Sequence, residues 1–162
     1  MPTSAIDSLI FRDLFGSPEM RRIWSDEYRT QMYLDWEAAL ARAQAKVGVI
    51  PQAAADEITR VCKVENIDFS RYAEETLTIG YPVLGLVHQI AHLCQGDAGK
   101  YCHWGATTQD ITDSATILQI KASFDLIAGD LDRAIAATEQ LARDHRRTPM
   151  AGRRNRRQGV AI

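Results

Sequence analysis

Apolar residues recur along this chain at helical spacing. No stretch alternates with a period of two between turn residues, so the pattern predicts helices and no sheet. Ser17-Pro18-Glu19 reads as a helix start: a capping hydroxyl, a proline at the first helical position, an acid in the first turn. Ser25-Asp26-Glu27 opens a longer helix whose stripe is Tyr28, Met32, Trp36, Leu40, Ala43 and Val47, ended by Gly48. Pro51 opens a third helix running to about Val64, and Asn66 to Ser70 reads as a turn. Pro82 starts an apolar helix holding Val83, Leu84, Leu86, Val87, Ile90 and Leu93, closed by Gly96-Asp97-Ala98-Gly99. Lys100 to Thr108 reads as a loop.

From about Gln109 to His145 the pattern predicts one long helix. Ile117, Phe124, Leu131 and Thr138 sit seven apart, and Ile120, Ile127, Ala134 and Leu141 follow three residues on. Such a heptad seam is packing surface and calls for partner helices, within the chain or between chains. Gly129 inside it costs about 1 kcal/mol relative to alanine, which fits a close approach there. Thr148-Pro149 stops the helix, because proline lacks a donor and restricts the residue before it.

Composition narrows the class. With 162 residues, 46% hydrophobic and 25% charged, the chain can bury a core without disulfide or metal staples. No stretch approaches the roughly 20 apolar residues of a membrane helix. Met1 to Gly16 carries Asp7, Arg12 and Asp13 and does not read as a signal peptide. Cys62, Cys94 and Cys102 are odd in number and lack CxxC spacing, which fits reduced thiols in a cytoplasmic protein. His88 and His92 stand four apart like a metal pair, but no third ligand accompanies them; they read as a solvated helix face, and no metal or other cofactor is expected. Net charge is −2, yet residues 143–157 hold seven arginines against one acid, Asp144. That cluster reads as an anion or nucleic-acid patch, as the degenerate end of a truncated gene, or as an error in the reading frame. The absence of interleaved aromatics weighs against nucleic acid.

The most informative segment is His103-Trp104-Gly105-Ala106-Thr107-Thr108-Gln109-Asp110-Ile111-Thr112-Asp113. It sets hydroxyls, an amide and unpaired backbone N–H groups at the start of the long helix, where the dipole favours negative charge. Thr107 or Thr108 fits two roles, capping the helix or donating to a carboxylate. His103 reads either as a site residue or as a loop histidine with a local hydrogen bond.

The run HWGATTQDITDSA closely resembles the first signature region of the fumarase/aspartase superfamily. The leader SLIFRDLFGSPEMRRIWSDEYR, the segment Gly80-Tyr81-Pro82-Val83-Leu84 and Thr148-Pro149-Met150-Ala151-Gly152-Arg153 also look like that superfamily, in consistent order over residues 8–153. The resemblance implies an all-α fold. Residues 1–106 would be an N-terminal helical domain, and residues 107–162 the start of a central helical bundle. It implies homotetramers with active sites built from three subunits. It also implies cofactor-free β-elimination, or its reverse, on a small polycarboxylate through an aci-carboxylate intermediate. Thr107, Thr108, Gln109, His103 and Arg153 would bind substrate, Thr108 standing where the family usually has serine.

Tyr81-Pro82 looks more like the 3-carboxy-cis,cis-muconate cycloisomerase branch than the adenylosuccinate lyase branch, which usually has histidine then aspartate there. An adenylosuccinate lyase-type fragment and a non-catalytic helical oligomerisation module stand as alternatives. Two departures matter. The second signature normally reads AGRTHLQ, whereas this sequence has Arg154 for the threonine and Asn155 for the histidine. Asparagine cannot carry a proton as histidine does. The Gly-Ser-Ser loop that supplies the family's serine base is absent, so these 162 residues alone are expected to lack the family's activity.

Overall fold

The computed structural model describes residues 4–152. Among them there are seven α-helices: α1 (Arg12–Phe15), α2 (Pro18–Ile23), α3 (Asp26–Lys46), α4 (Gln52–Val61), α5 (Phe69–Ile79), α6 (Val83–Leu93) and α7 (Thr108–Asp144). Two short 3-10 turns, Val64–Asn66 and Ala98–Tyr101, lie between them. No strand occurs among the described residues, so the all-α expectation holds. No helix among them is long and apolar enough to cross a membrane.

Local chemistry sets the helix starts. The Ser17 hydroxyl accepts the Met20 N–H at 3.1 Å, with Pro18 in the first turn. The Ser25 hydroxyl accepts the Tyr28 N–H at 3.2 Å. Both satisfy donors that a helix leaves unpaired at its N-terminus. Helix α5 falls where the sequence pattern shows only a turn followed by unassigned residues. The Asp68 carboxylate caps it, accepting the Ser70 and Arg71 N–H groups, and Gly80 ends it at φ +90°.

The chain divides into two compact units, one up to Ser123 and one from Phe124 onward. The first unit holds the core, centred on Leu34, Ile58, Leu86, Ile90 and Ile111. Helix α3 packs on α4, and the face it buries is Thr30, Tyr33, Leu34, Glu37, Ala38 and Ala41. The stripe read from the sequence lies beside that face. Met32 and Trp36 only flank the core, and Val47 is exposed. Small residues decide this: Ala38 and Ala41 on α3, and Ala54 and Ala55 on α4, are all buried and let the helices approach closely. The turn at Ala98–Tyr101 sits as tightly on α6, where a β-carbon on Gly99 would lie 2.3 Å from the Ala91 carbonyl oxygen.

Helix α7 begins one residue before the expected Gln109 and ends one before His145. Its first part, through Ser123, belongs to the core unit and buries Ile111, Ala115, Gln119 and Ser123, every fourth residue. Two polar contacts fix it to the α2–α3 junction. Gln119 Nε2 donates to the Ile23 carbonyl at 2.7 Å, and Trp24 Nε1 donates to Ser123 Oγ at 3.0 Å.

In the second unit the apolar seam is bare. Phe124 is 65% exposed and Leu131 55%, and a β-carbon at Gly129 would meet nothing within 4 Å. The close approach expected at Gly129 does not occur among the described residues. Among the cluster's described arginines, Arg143 pairs with Glu139, while Arg153 to Arg157 lie outside the described residues.

Candidate functional site

The N-terminus of α7 opens onto a cleft of about 200 Å³ lined by His103, Ala106, Thr107, Thr108 and, from the α5–α6 side, Tyr81, Val83, Leu84 and Val87. Three of the residues singled out from the sequence, His103, Thr107 and Thr108, thus meet on one surface. Gln109 does not line this cleft. Its side-chain amide donates to Asp113 Oδ1 at 2.6 Å on another face of the helix. Arg153 and Asn155 lie outside the described residues.

The helix start is capped by a carboxylate. Asp110 Oδ2 accepts the Thr107 N–H at 2.9 Å. Asp110 thus satisfies the N–H of the residue before the helix, and the hydroxyl cap expected from Thr107 or Thr108 does not form among the described residues. Neither threonine hydroxyl has a hydrogen-bond partner among the described residues. The Asp110 N–H donates to the Thr107 carbonyl at 3.1 Å, so Thr107 and Thr108 bring two unpartnered hydroxyls to the cleft at the N-terminal end of a 37-residue helix, the end whose dipole favours negative charge.

His103 stands on the loop before α7 in a left-handed conformation, φ +55°, which few non-glycine residues adopt. The surroundings hold it there. Gln44 Nε2 on α3 donates to the Trp104 carbonyl at 2.7 Å. The Ala106 N–H donates to the His103 carbonyl at 3.3 Å. The Trp36 ring lies 6.1 Å from the imidazole, centroid to centroid, and Trp104 rests 6.0 Å from Tyr101. His103 Nδ1 sits 2.5 Å from Glu37 Oε1. The Glu37 side chain is 1% exposed and the histidine's 17%. Sequence reading missed Glu37, which falls in an amphipathic helix 66 residues before its partner.

Burial first, and then the Glu37 carboxylate, push the Cys62 thiol up to about 12. Burial likewise raises Cys94 and Cys102, whose thiols hydrogen-bond to each other; all three cysteines are free. His88 Nδ1 lies 3.2 Å from Glu75 Oε2 on the solvated face of α6. The Arg71 side chain, then His88, hold that carboxyl below its usual range. Among the described residues no group of three or more histidine, cysteine or acidic side chains is placed to hold a metal ion.

A family model described as Lyase matches residues 15–159. An uncharacterized protein of Schizosaccharomyces pombe is 63% identical over 162 residues, covering 100% of this chain and 36% of that protein. Trans-aconitate decarboxylase 1 of Mycosarcoma maydis is 52% identical over 150 residues, covering 93% of this chain and 30% of that protein. The crystal structure of 3-carboxy-cis,cis-muconate lactonizing enzyme from Pseudomonas putida matches at a TM-score of 0.90 and 35% identity, covering 96% of this chain and 36% of that one. The chain spans about a third of the length of these relatives.

Proposed function

The chain belongs to the lyase family, within the fumarase/aspartase superfamily, and from that premise we propose that its α7 N-terminus binds one carboxylate of a polycarboxylate undergoing elimination. The observation that carries this is the convergence of His103, Thr107 and Thr108 on one cleft, both hydroxyls unpartnered. Removing a proton from the carbon beside a carboxylate drives its electron pair into that carboxyl group. The resulting aci-carboxylate carries two negative charges. Fixed donors aimed at that group stabilise it more than they stabilise the substrate, which is how they accelerate the step. Thr107 Oγ1, Thr108 Oγ1 and the first-turn N–H groups supply such donors, and His103 supplies a ring nitrogen beside them. The leaving group then departs from the neighbouring carbon, or in a cycloisomerase the same step closes or opens a lactone.

Two of the similar proteins are named for unsaturated tricarboxylates, trans-aconitate and 3-carboxymuconate, which supports a tricarboxylate substrate. The 52% identity to a decarboxylase favours a second reading on the same cleft. Loss of CO₂ leaves an electron pair on carbon just as proton removal does. When a carboxylate adjoins that carbon, the same donors serve. In either case the active enzyme is an assembly of several copies, the exposed seam of α7 forming the contact.

Calorimetric titration of the purified chain with trans-aconitate tests the proposal. Saturable binding is expected. Thr107→Val and Thr108→Val should each weaken it about tenfold, the loss of one hydrogen bond to a charged group at roughly 1.5 kcal/mol. Binding that both substitutions leave unchanged would refute it.

A further inference from the structure

We propose that Glu37 is a positioning residue of this site: its buried carboxylate fixes the proton of His103 on Nδ1 and turns Nε2 toward the bound carboxylate. The function given to Nε2 rests on the carboxylate-binding reading above. The tautomer does not.

Glu37 lies mid-helix in α3, on the face that also buries Leu34, Ala38 and Ala41. An acid there is costly unless a partner compensates it. Among the described residues its hydrogen-bond partner is His103, at 2.5 Å. An ionised carboxylate only accepts hydrogen bonds, so the Nδ1 facing it carries the proton. Nε2 is then the nitrogen left for the cleft that His103 lines with Thr107 and Thr108. The left-handed backbone of His103 belongs to the same arrangement. Such a conformation persists only where the surroundings over-determine it, and Gln44, Trp36 and Glu37, all on α3, face this loop. One helix therefore sets the loop's path, the ring's packing and the ring's protonation. A histidine held by a carboxylate on one nitrogen is primed to act through the other.

The experiment is ring nitrogen NMR on the chain labelled with ¹⁵N at its four histidines, in mildly alkaline buffer. His103 is expected to carry its proton on Nδ1, opposite to the Nε2–H tautomer that free histidine prefers. Glu37→Gln keeps the size and removes the charge. It should release that tautomer and weaken trans-aconitate binding about tenfold, as losing an orienting partner does for ligating histidines. Glu37→Asp, which restores a carboxylate, should bring the Nδ1 proton back. A proton on Nε2 in the unsubstituted chain overturns the proposal, and that spectrum decides it even if Glu37→Gln fails to fold. Ring signals unmoved by Glu37→Gln also overturn it. A tautomer that shifts as expected, in proteins that bind no trans-aconitate, upholds the positioning role and refutes the carboxylate site.

Discussion

At the scale of single residues, the threonines were legible in the sequence and the acid was not. Thr107 and Thr108 stand at a helix start whose punctuation is local, so their place at the start of α7 follows from neighbouring residues. Glu37 is visible only with its partner, because a carboxylate in an amphipathic helix reads as solvent-facing until the loop bearing His103 folds over it. Its burial has a measurable consequence close by. With its thiol pushed up to about 12 by burial and then by Glu37, Cys62 stays protonated near neutrality, and the thiolate is the reactive form. Iodoacetamide at pH 8 should leave Cys62 unmodified in the native chain and alkylate it promptly in guanidinium. Mass-spectrometric peptide mapping reads this directly, and prompt native labelling of Cys62 would contradict the burial described.

At the scale of elements, the helices with strong start signals were legible, and α5 was not. It buries a single residue, Tyr72, and its cap, Asp68, looked like part of a turn. The buried face of α3 was misjudged for a related reason. Size marks Trp36 and Leu40, while the close contact with α4 is made by alanines. Glu57 ties α4 to the turn after α6: it accepts from Arg60 Nη2 at 2.7 Å and from the Gln95 N–H at 2.8 Å. The Arg60 bond first, and the Gln95 bond next, hold its carboxyl at about 2, below the ordinary 4.5. A depressed carboxylate adds stability above its unfolded value and loses it as pH falls through its folded value. Glu57→Gln should therefore lower the urea midpoint at pH 7, with the gap to the unsubstituted chain closing between pH 4.5 and about 2. A gap independent of pH would show that the charge contributes nothing.

At the scale of the whole molecule, heptad spacing told where the apolar seam lies but not what covers it. Phe124, Ile127, Leu131, Ile135 and Leu141 are all exposed, apolar surface of the kind that marks an interaction site. Copies of this chain are expected to associate through it. In sedimentation velocity the chain should run as an oligomer, and Leu131→Lys should shift it toward monomer without loss of helix content. A chain that is monomeric before substitution would contradict this. The first compact unit runs to Ser123, because every fourth residue of the first part of α7, from Ile111 to Ser123, is buried.

The central claim, that the start of α7 is a carboxylate site, is tested most directly by backbone amide NMR as trans-aconitate is added. The largest shifts are expected on Thr107, Thr108 and Gln109, with His103 following, all saturating together. Larger shifts in the separate cleft lined by Arg29, Tyr33 and Tyr72, or no shift at the start of α7, would contradict it.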